Sequence, residues 1–176
     1  MSKKIEQRTS KIHGNGVFAT APIKKGGTIV GYTGRLLSHD EADDIYGGAD
    51  TGHTFLFILN EDWVIDANVG GSIAMWINHG CAPNCKAWVI AHKSGDLKKD
   101  KVEIEALRDI APGEELTYDY EITVDRRMSA AEKKLWACRC GAPNCTGTML
   151  REKPVRTKAT AKAKAKPVRK RAKATA

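Results

Sequence analysis

Ile77-Asn78-His79-Gly80-Cys81-Ala82-Pro83-Asn84 lies mid-chain, and Cys138-Arg139-Cys140-Gly141-Ala142-Pro143-Asn144-Cys145 follows far downstream. The second stretch is a C-x-C-x₄-C cluster. Structural zinc is held in a tetrahedron, and thiolate is its usual ligand. Cys138, Cys140 and Cys145 leave one vertex empty. If Cys81 fills it, the metal staples the C-terminal segment onto the Asn78-His79 loop and builds a pocket from two distant pieces of sequence. Four thiolates leave no position for water, so the expected role is structural. Cys85 is the cysteine left over and is expected to be a buried, inert thiol.

The average charge of +8 over 176 residues hides two unlike parts. Residues 151–176 hold eleven Lys/Arg against one acid, whereas residues 1–150 carry 18 basic and 20 acidic side chains. The body therefore reads as an ordinary domain large enough to bury a core. The tail alternates Lys and Ala, contains Pro154 and Pro167, and lacks any aromatic residue. Such a composition cannot bury a core and is expected to be disordered when free. Met1-Ser2-Lys3-Lys4 leads to no apolar h-region, and no apolar run approaches the roughly 18–20 residues that span a bilayer. These features predict an intracellular chain with no membrane contact, in a reducing compartment where clustered thiols bind metal instead of forming disulfides.

Short β-branched runs with Gly/Pro punctuation predict a mainly β domain with a few short helices. Strands are expected at Ile5–Arg8, Val17–Ala19, Thr28–Thr33, His53–Leu59 and Trp63–Asp66, the last two joined at Asn60-Glu61-Asp62. Ala87–Ala91 and Lys101–Leu107 read as a hairpin. Asp40–Ile45 and Ser72–Ile77 read as short helical segments, and Gly47–Gly52 as a loop. Ser129-Ala130-Ala131-Glu132 is a capping box, which predicts a helix from Ala130 to Trp136.

Three further constellations have a plain reading and a functional one. His13-Gly14-Asn15-Gly16 is a tight turn by itself, or a place where backbone approaches a ligand closely. It lacks the third glycine and following helix of a dinucleotide fingerprint. Asn78-His79 sits in a rigid loop rich in donors and acceptors. Tyr118 and Tyr120, two residues apart in a strand, would share a face; they are core residues or the lining of a polar channel.

Taken in order, His13-Gly14-Asn15-Gly16, Tyr32-Thr33-Gly34, Ile77-Asn78-His79, Gly113-Glu114-Glu115-Leu116-Thr117-Tyr118-Asp119-Tyr120 and the closing C-x-C-x₄-C resemble a SET-domain protein lysine methyltransferase with a post-SET zinc segment. The resemblance runs from Ile5 to Leu150. It implies a SET domain over 1–125, a post-SET zinc segment over 126–150 and a disordered basic tail over 151–176. The implied fold is one of small sheets with a C-terminal pseudoknot, an exception to the unthreaded rule. A small domain with a Lys/Ala-rich tail is similar to bacterial members, so the expected setting is a bacterial cytoplasm or nucleoid, or a host nucleus after delivery.

The resemblance also assigns roles. His13, Gly14, Asn15, Gly16, Asn78 and His79 are expected to hold S-adenosylmethionine. Tyr120 is the expected catalytic tyrosine, Tyr118 a switch on product multiplicity, and Tyr32 a further wall of the lysine channel. Cys81, Cys138, Cys140 and Cys145 are the expected zinc ligands. Met75 and Trp76 stand where the family has arginine and another aromatic, Gly80 where it has serine, and Phe55 where tyrosine is common.

The implied reaction is methylation, mainly monomethylation, of lysines in a basic protein, either a histone or a bacterial nucleoid protein. Residues 151–176 resemble linker-histone-like tails and are expected to contact nucleic acid by counterion release. The rival reading is a zinc-stapled nucleic-acid or chromatin binder without catalysis. A third is a domain that binds the cofactor without turnover. The sequence leaves the oligomeric state open.

Overall fold

The computed structural model describes residues 4–47, 52 and 54–153. Strand β1 (Ile5–Thr9) turns back as β2 (Asn15–Ala19), antiparallel from Ile5↔Ala19 to Thr9↔Asn15. Gly14 takes φ +45° in the connection, a region that favours glycine, so the expected tight turn is present. β3 (Thr28–Tyr32) and β4 (Arg35–Ser38) follow. Helix α1 (His39–Tyr46) starts at a capping box in which Ser38 Oγ accepts from the Glu41 N–H and the Glu41 carboxylate accepts from the Ser38 N–H. β5 (Leu56–Ile58) and β6 (Trp63–Asp66) form the hairpin expected across Asn60-Glu61-Asp62. The Asn60 side-chain oxygen closes it by accepting from the Asp62 and Trp63 N–H groups.

Ser72 caps a single 3₁₀ turn, Ile73–Trp76, which delivers the chain into β7 (Asn78–His79). β8 (Cys85–Ile90) and β9 (Lys101–Ala106) are the expected hairpin. β10 (Thr117–Tyr118) and β11 (Ile122–Val124) come next. Helix α2 (Ala130–Leu135) begins at the Ser129/Glu132 capping box, and β12 (Leu150–Glu152) ends the described chain's regular structure.

The architecture is mainly β, as expected. The largest sheets are the three-stranded antiparallel β3-β9-β8 and β4-β6-β5. Ile104, Ile110, Leu116, Ile77 and Val17 are fully buried where these sheets meet the β1-β2 hairpin. Each such side chain contributes about 1.5–3 kcal/mol relative to exposure. Two small parallel pairs then tie late sequence to early sequence. Thr117 pairs with Asn78 and Tyr118 with His79; Ile122 pairs with Leu150 and Val124 with Glu152. On its other side the Gly113–Leu116 segment bonds β2, through Gly113 N–H to the Ala19 carbonyl and Leu116 N–H to the Val17 carbonyl. The segment is thus held between β2 and β7, the arrangement that the expected threading requires.

Some elements differ from expectation. β4 is hidden in sequence because Arg35-Leu36-Leu37-Ser38 is short and runs directly into a helix cap. The strand expected at His53–Leu59 is confined to Leu56–Ile58, and His53 lies outside the described residues, as do 48–51 of the expected Gly47–Gly52 loop. Ser72–Ile77 forms a 3₁₀ turn because four helical residues are too few to build an α-helix. β12 carries pairing through Glu152, the second residue of the tail expected over 151–176; residues 154–176 lie outside the described residues. Among the described residues no helix is long and apolar enough to cross a membrane.

One buried charge locks β4, α1 and β6 together. Asp66 is fully buried, and its carboxylate accepts from Arg35 at 2.7 Å, the Tyr46 hydroxyl at 3.0 Å, and the Asn68 backbone and side-chain nitrogens at 3.0 and 2.9 Å. Burial alone would raise its pKa, but these donors outweigh burial and hold it below the ordinary carboxylate value. A depressed carboxylate stabilises the fold above the unfolded-state pKa, and that stability is lost as pH falls through the folded-state value. Asp66→Asn is expected to lower stability by about 1.5–3 kcal/mol at neutral pH. Urea denaturation of both chains across pH should show the difference shrinking once pH drops below about 4.

Candidate active site and metal centre

The four expected metal ligands converge. The Sγ atoms of Cys81, Cys138, Cys140 and Cys145 all lie within 4.8 Å of one another. Zinc–sulfur bonds of about 2.3 Å imply a tetrahedral edge of about 3.8 Å, and Cys81 Sγ to Cys138 Sγ is 3.8 Å. Backbone N–H groups also face the sulfurs: Cys81 N lies 3.5 Å from Cys140 Sγ, and Gly147 N 3.4 Å from Cys145 Sγ. Donors of this kind suit thiolates. The donor set and its spacing therefore fit a structural zinc ion. Residues 136–149 are closed on themselves by Met149 N–H to the Trp136 carbonyl and Cys138 N–H to the Gly147 carbonyl. Cys85 stands outside the cluster, buried, with burial pushing its thiol up to about 12.

The glycine turn and the Asn78-His79 step also meet. Asn78 Nδ2 donates to the Asn15 carbonyl at 2.9 Å and to Glu115 Oε1 at 2.9 Å, with the His13 carbonyl at 3.3 Å. Ser10 Oγ donates to the same carboxylate oxygen at 2.7 Å. A Cβ on Gly16 would lie 2.3 Å from Glu115 Oε1, so glycine there makes room for the carboxylate. Glu115 is thus the hub that joins the turn to Asn78. Asn84 does similar work on the other side: Nδ2 donates to the Glu115 carbonyl at 2.8 Å, and Oδ1 accepts from the Thr117 N–H at 2.9 Å. Sequence reasoning assigned neither residue a role. The signal was ambiguous, since two consecutive acids, Glu114 and Glu115, do not reveal which turns inward. Glu114 faces outward and pairs with Arg108 at 2.7 Å.

Tyr118 and Tyr120 sit side by side, with ring centroids 4.9 Å apart. The Tyr120 hydroxyl donates to the Ile77 carbonyl at 2.9 Å, and its N–H donates to His79 Nδ1 at 3.2 Å. The last tyrosine and the Asn78-His79 step are therefore in direct contact. Tyr32 is buried against Phe57 and donates its hydroxyl to the Phe55 carbonyl at 2.9 Å. Burial pushes all three phenols above the usual tyrosine range, which keeps them neutral. Burial also lowers the His79 pKa, with Arg151 adding to the effect and Asp119 opposing it.

Two cavities flank Tyr120. One of about 200 Å³ is lined by Phe57, Val89, Tyr118, Asp119, Tyr120 and Glu121. The other, of about 130 Å³, is lined by His13, Asn78, His79, Tyr120, Trp136 and Arg139, among others. Among the described residues Tyr120 alone lines both. Tyr32 lines neither, though it packs against Phe57, which lines the larger. Of the departures noted in the sequence, Gly80 has a local reason: a Cβ there would lie 2.7 Å from Thr117 Oγ1. Phe55 and Trp76 pack edge to face at 5.0 Å.

Comparison with known proteins gives concordant matches. The family description "SET domain" matches residues 14–121. The histone-lysine N-methyltransferase ATX2 of Arabidopsis thaliana is 40% identical over 152 residues, covering 84% of this chain and 13% of that protein. An H3 lysine-4 specific histone-lysine N-methyltransferase of Schizosaccharomyces pombe is 39% identical over 148 residues, covering 82% and 15%. The chain thus spans about a seventh of the length of these relatives. They come from a plant and a fungus, which lends no support to a bacterial setting. Among solved structures, ctPRC2 in an autoinhibited conformation bound to S-adenosylmethionine is similar with TM-score 0.59 and 27% identity, over 68% of this chain and 15% of that one. The Chaetomium thermophilum polycomb repressive complex 2 is similar with TM-score 0.60 and 28% identity, with the same coverage.

The cysteine geometry sets a test. The purified chain is expected to hold one zinc per molecule by elemental analysis, and Cys81→Ser to bind it at least about tenfold more weakly. Chelation should release residues 136–149 and open Arg139 to trypsin, read by mass spectrometry of the fragments.

Proposed function

This chain belongs to the SET-domain family, and from that premise we propose that it methylates lysine side chains of a histone, using S-adenosylmethionine. The observation that carries the reading is Tyr120 standing between two cavities. A methyl donor and a lysine must meet at one point while entering from different directions, and a binder without catalysis has no need of that partition. The H3 lysine-4 specificity of the Schizosaccharomyces pombe relative favours the H3 tail over a nucleoid protein, and a chromatin-side setting follows from that substrate. We assign the catalytic domain to 1–125, the zinc segment to 126–150 and a nucleic-acid-binding tail to 151–176.

When bound, S-adenosylmethionine supplies a methyl group on a cationic sulfur. The cavity beside His13, Asn78 and His79 suits it, with Trp136 giving an apolar wall and Asn78 fixing the glycine turn through Asn15 and Glu115. Cys81, Cys138, Cys140 and Cys145 would hold zinc, which closes Trp136 and Ala137 over that cavity. The cavity beside Tyr118 takes the lysine. Free lysine has a pKa of about 10.4; burial against Tyr118 and Tyr120 favours the neutral amine required of a nucleophile, while Asp119 and Glu121 in the same lining oppose it. Tyr120 commits its hydroxyl proton to the Ile77 carbonyl. Its oxygen lone pairs are then left to accept an N–H of the amine, which turns the nitrogen lone pair toward the donor. Alignment of this kind supplies much of the acceleration. His79 is an unsuitable base, since Nδ1 already accepts the Tyr120 N–H; we assign no dedicated base. Tyr118 presses on Tyr120 and limits room for a methylated amine, so the product is mainly monomethyl-lysine. Tyr32 supports the site from the core.

The test is methyl transfer from isotopically labelled S-adenosylmethionine to a panel of basic proteins including histone H3, read by mass spectrometry. Tyr120→Phe should lower kcat by about 100-fold or more. Tyr118→Phe should shift product toward di- and trimethyl-lysine. An inert panel would reject the enzyme reading, and an unchanged methylation state would reject the role of Tyr118.

Truncation after Lys153 is expected to weaken DNA binding and flatten its salt dependence while methylation of a free peptide stays within about threefold. Loss of both activities would contradict a modular tail.

A further inference from the structure

We infer that His79 is a positioning residue that couples the four-cysteine centre to the placement of Tyr120, an inference that rests on the roles given above to Tyr120 and the cysteines. His79 is buried, and its two ring nitrogens face different partners. Tyr120 N lies 3.2 Å from Nδ1, and an amide N–H only donates, so Nδ1 accepts. A neutral imidazole that accepts at Nδ1 carries its proton on Nε2. Nε2 lies 3.6 Å from Cys81 Sγ, within the longer reach of a hydrogen bond to sulfur.

Metal ligation requires Cys81 as the thiolate, and an ionised acceptor makes the stronger hydrogen bond. A metal-loaded Cys81 therefore pins the imidazole in the tautomer that accepts from Tyr120. The imidazole in turn pins the Tyr120 backbone, while Ile77 pins its hydroxyl and the two rings meet edge to face at 5.4 Å. Asp119 Oδ1 lies 3.8 Å from Nδ1 and would favour a proton there. A proton on Nδ1 would break the bond to Tyr120, so the thiolate and Asp119 pull the ring proton toward opposite ends. Arg151 engages the Asp119 carboxylate, which blunts that competition. Loss of metal thus loosens the residue dividing the two cavities.

The test uses the full chain reconstituted with NMR-active cadmium in place of zinc. Couplings through hydrogen bonds to sulfur should connect the metal to the His79 Nε2–H and, as an internal control, to the Cys81 N–H that faces Cys140. His79→Phe should lose the first signal and keep the second. Metal removal should shift the Tyr120 amide resonance in the parent chain and leave it largely unmoved in His79→Phe. Turnover should fall about 10–100-fold in His79→Phe and be partly restored in His79→Asn, whose side chain both donates and accepts. A control signal without a His79 signal overturns the inference, as does a Tyr120 response that survives in His79→Phe, or equal loss of turnover in both variants. The NMR readouts require no methyl transfer, so they fail or succeed separately from the methyltransferase reading.

Discussion

Two residues of β7 laid parallel to two residues of β10 are the contact on which the site depends. A parallel pair this short has little stability of its own. Side chains make up the difference. Glu115 and Asn84 reach across the junction and bond the backbone or side chains of both partners, and Leu116 anchors the segment in the core. Fix that pair and the rest is in place: Asn78 against the glycine turn, His79 against Cys81, and Tyr120 between the cavities.

Polar groups rather than apolar ones thus specify the centre of this molecule. Asn78, His79, Asn84 and Asp66 are buried, and each is hydrogen-bonded through its side chain. Buried polar groups are costly when unpaired, so the network tolerates only one register of β10 on β7. A slip by one residue would turn Tyr118 and Tyr120 away from their cavity and leave Glu115 without donors. The same logic explains Gly16 and Gly80, whose missing side chains admit Glu115 and Thr117.

What could be read from the sequence was local or motif-borne. Both capping boxes, the glycine turn and the β8–β9 hairpin follow from residues close in the chain. The four cysteines could be grouped because tetrahedral thiolate chemistry demands a fourth partner. The parallel pairs could not be read, since nothing in Ile122-Thr123-Val124 names Leu150-Arg151-Glu152 as its neighbour. Glu115 and Asn84 escaped notice for a related reason: their roles are set by what lies across space. Tyr32 shows the limit of a motif, because it lines neither cavity and its hydroxyl is directed at the Phe55 carbonyl.

The Asp119–Arg151 ion pair has a kinetic corollary. Asp119 forms part of the wall of the larger cavity, so the strand carrying Arg151 begins its exit beside that opening. The lysine-rich sequence after Lys153 continues from that strand. On the proposed reading, a lysine of that sequence at the opening would compete with outside polypeptide at a local concentration fixed by tether length. Lowering the concentration of the outside polypeptide would weaken that competitor and leave the tethered one untouched.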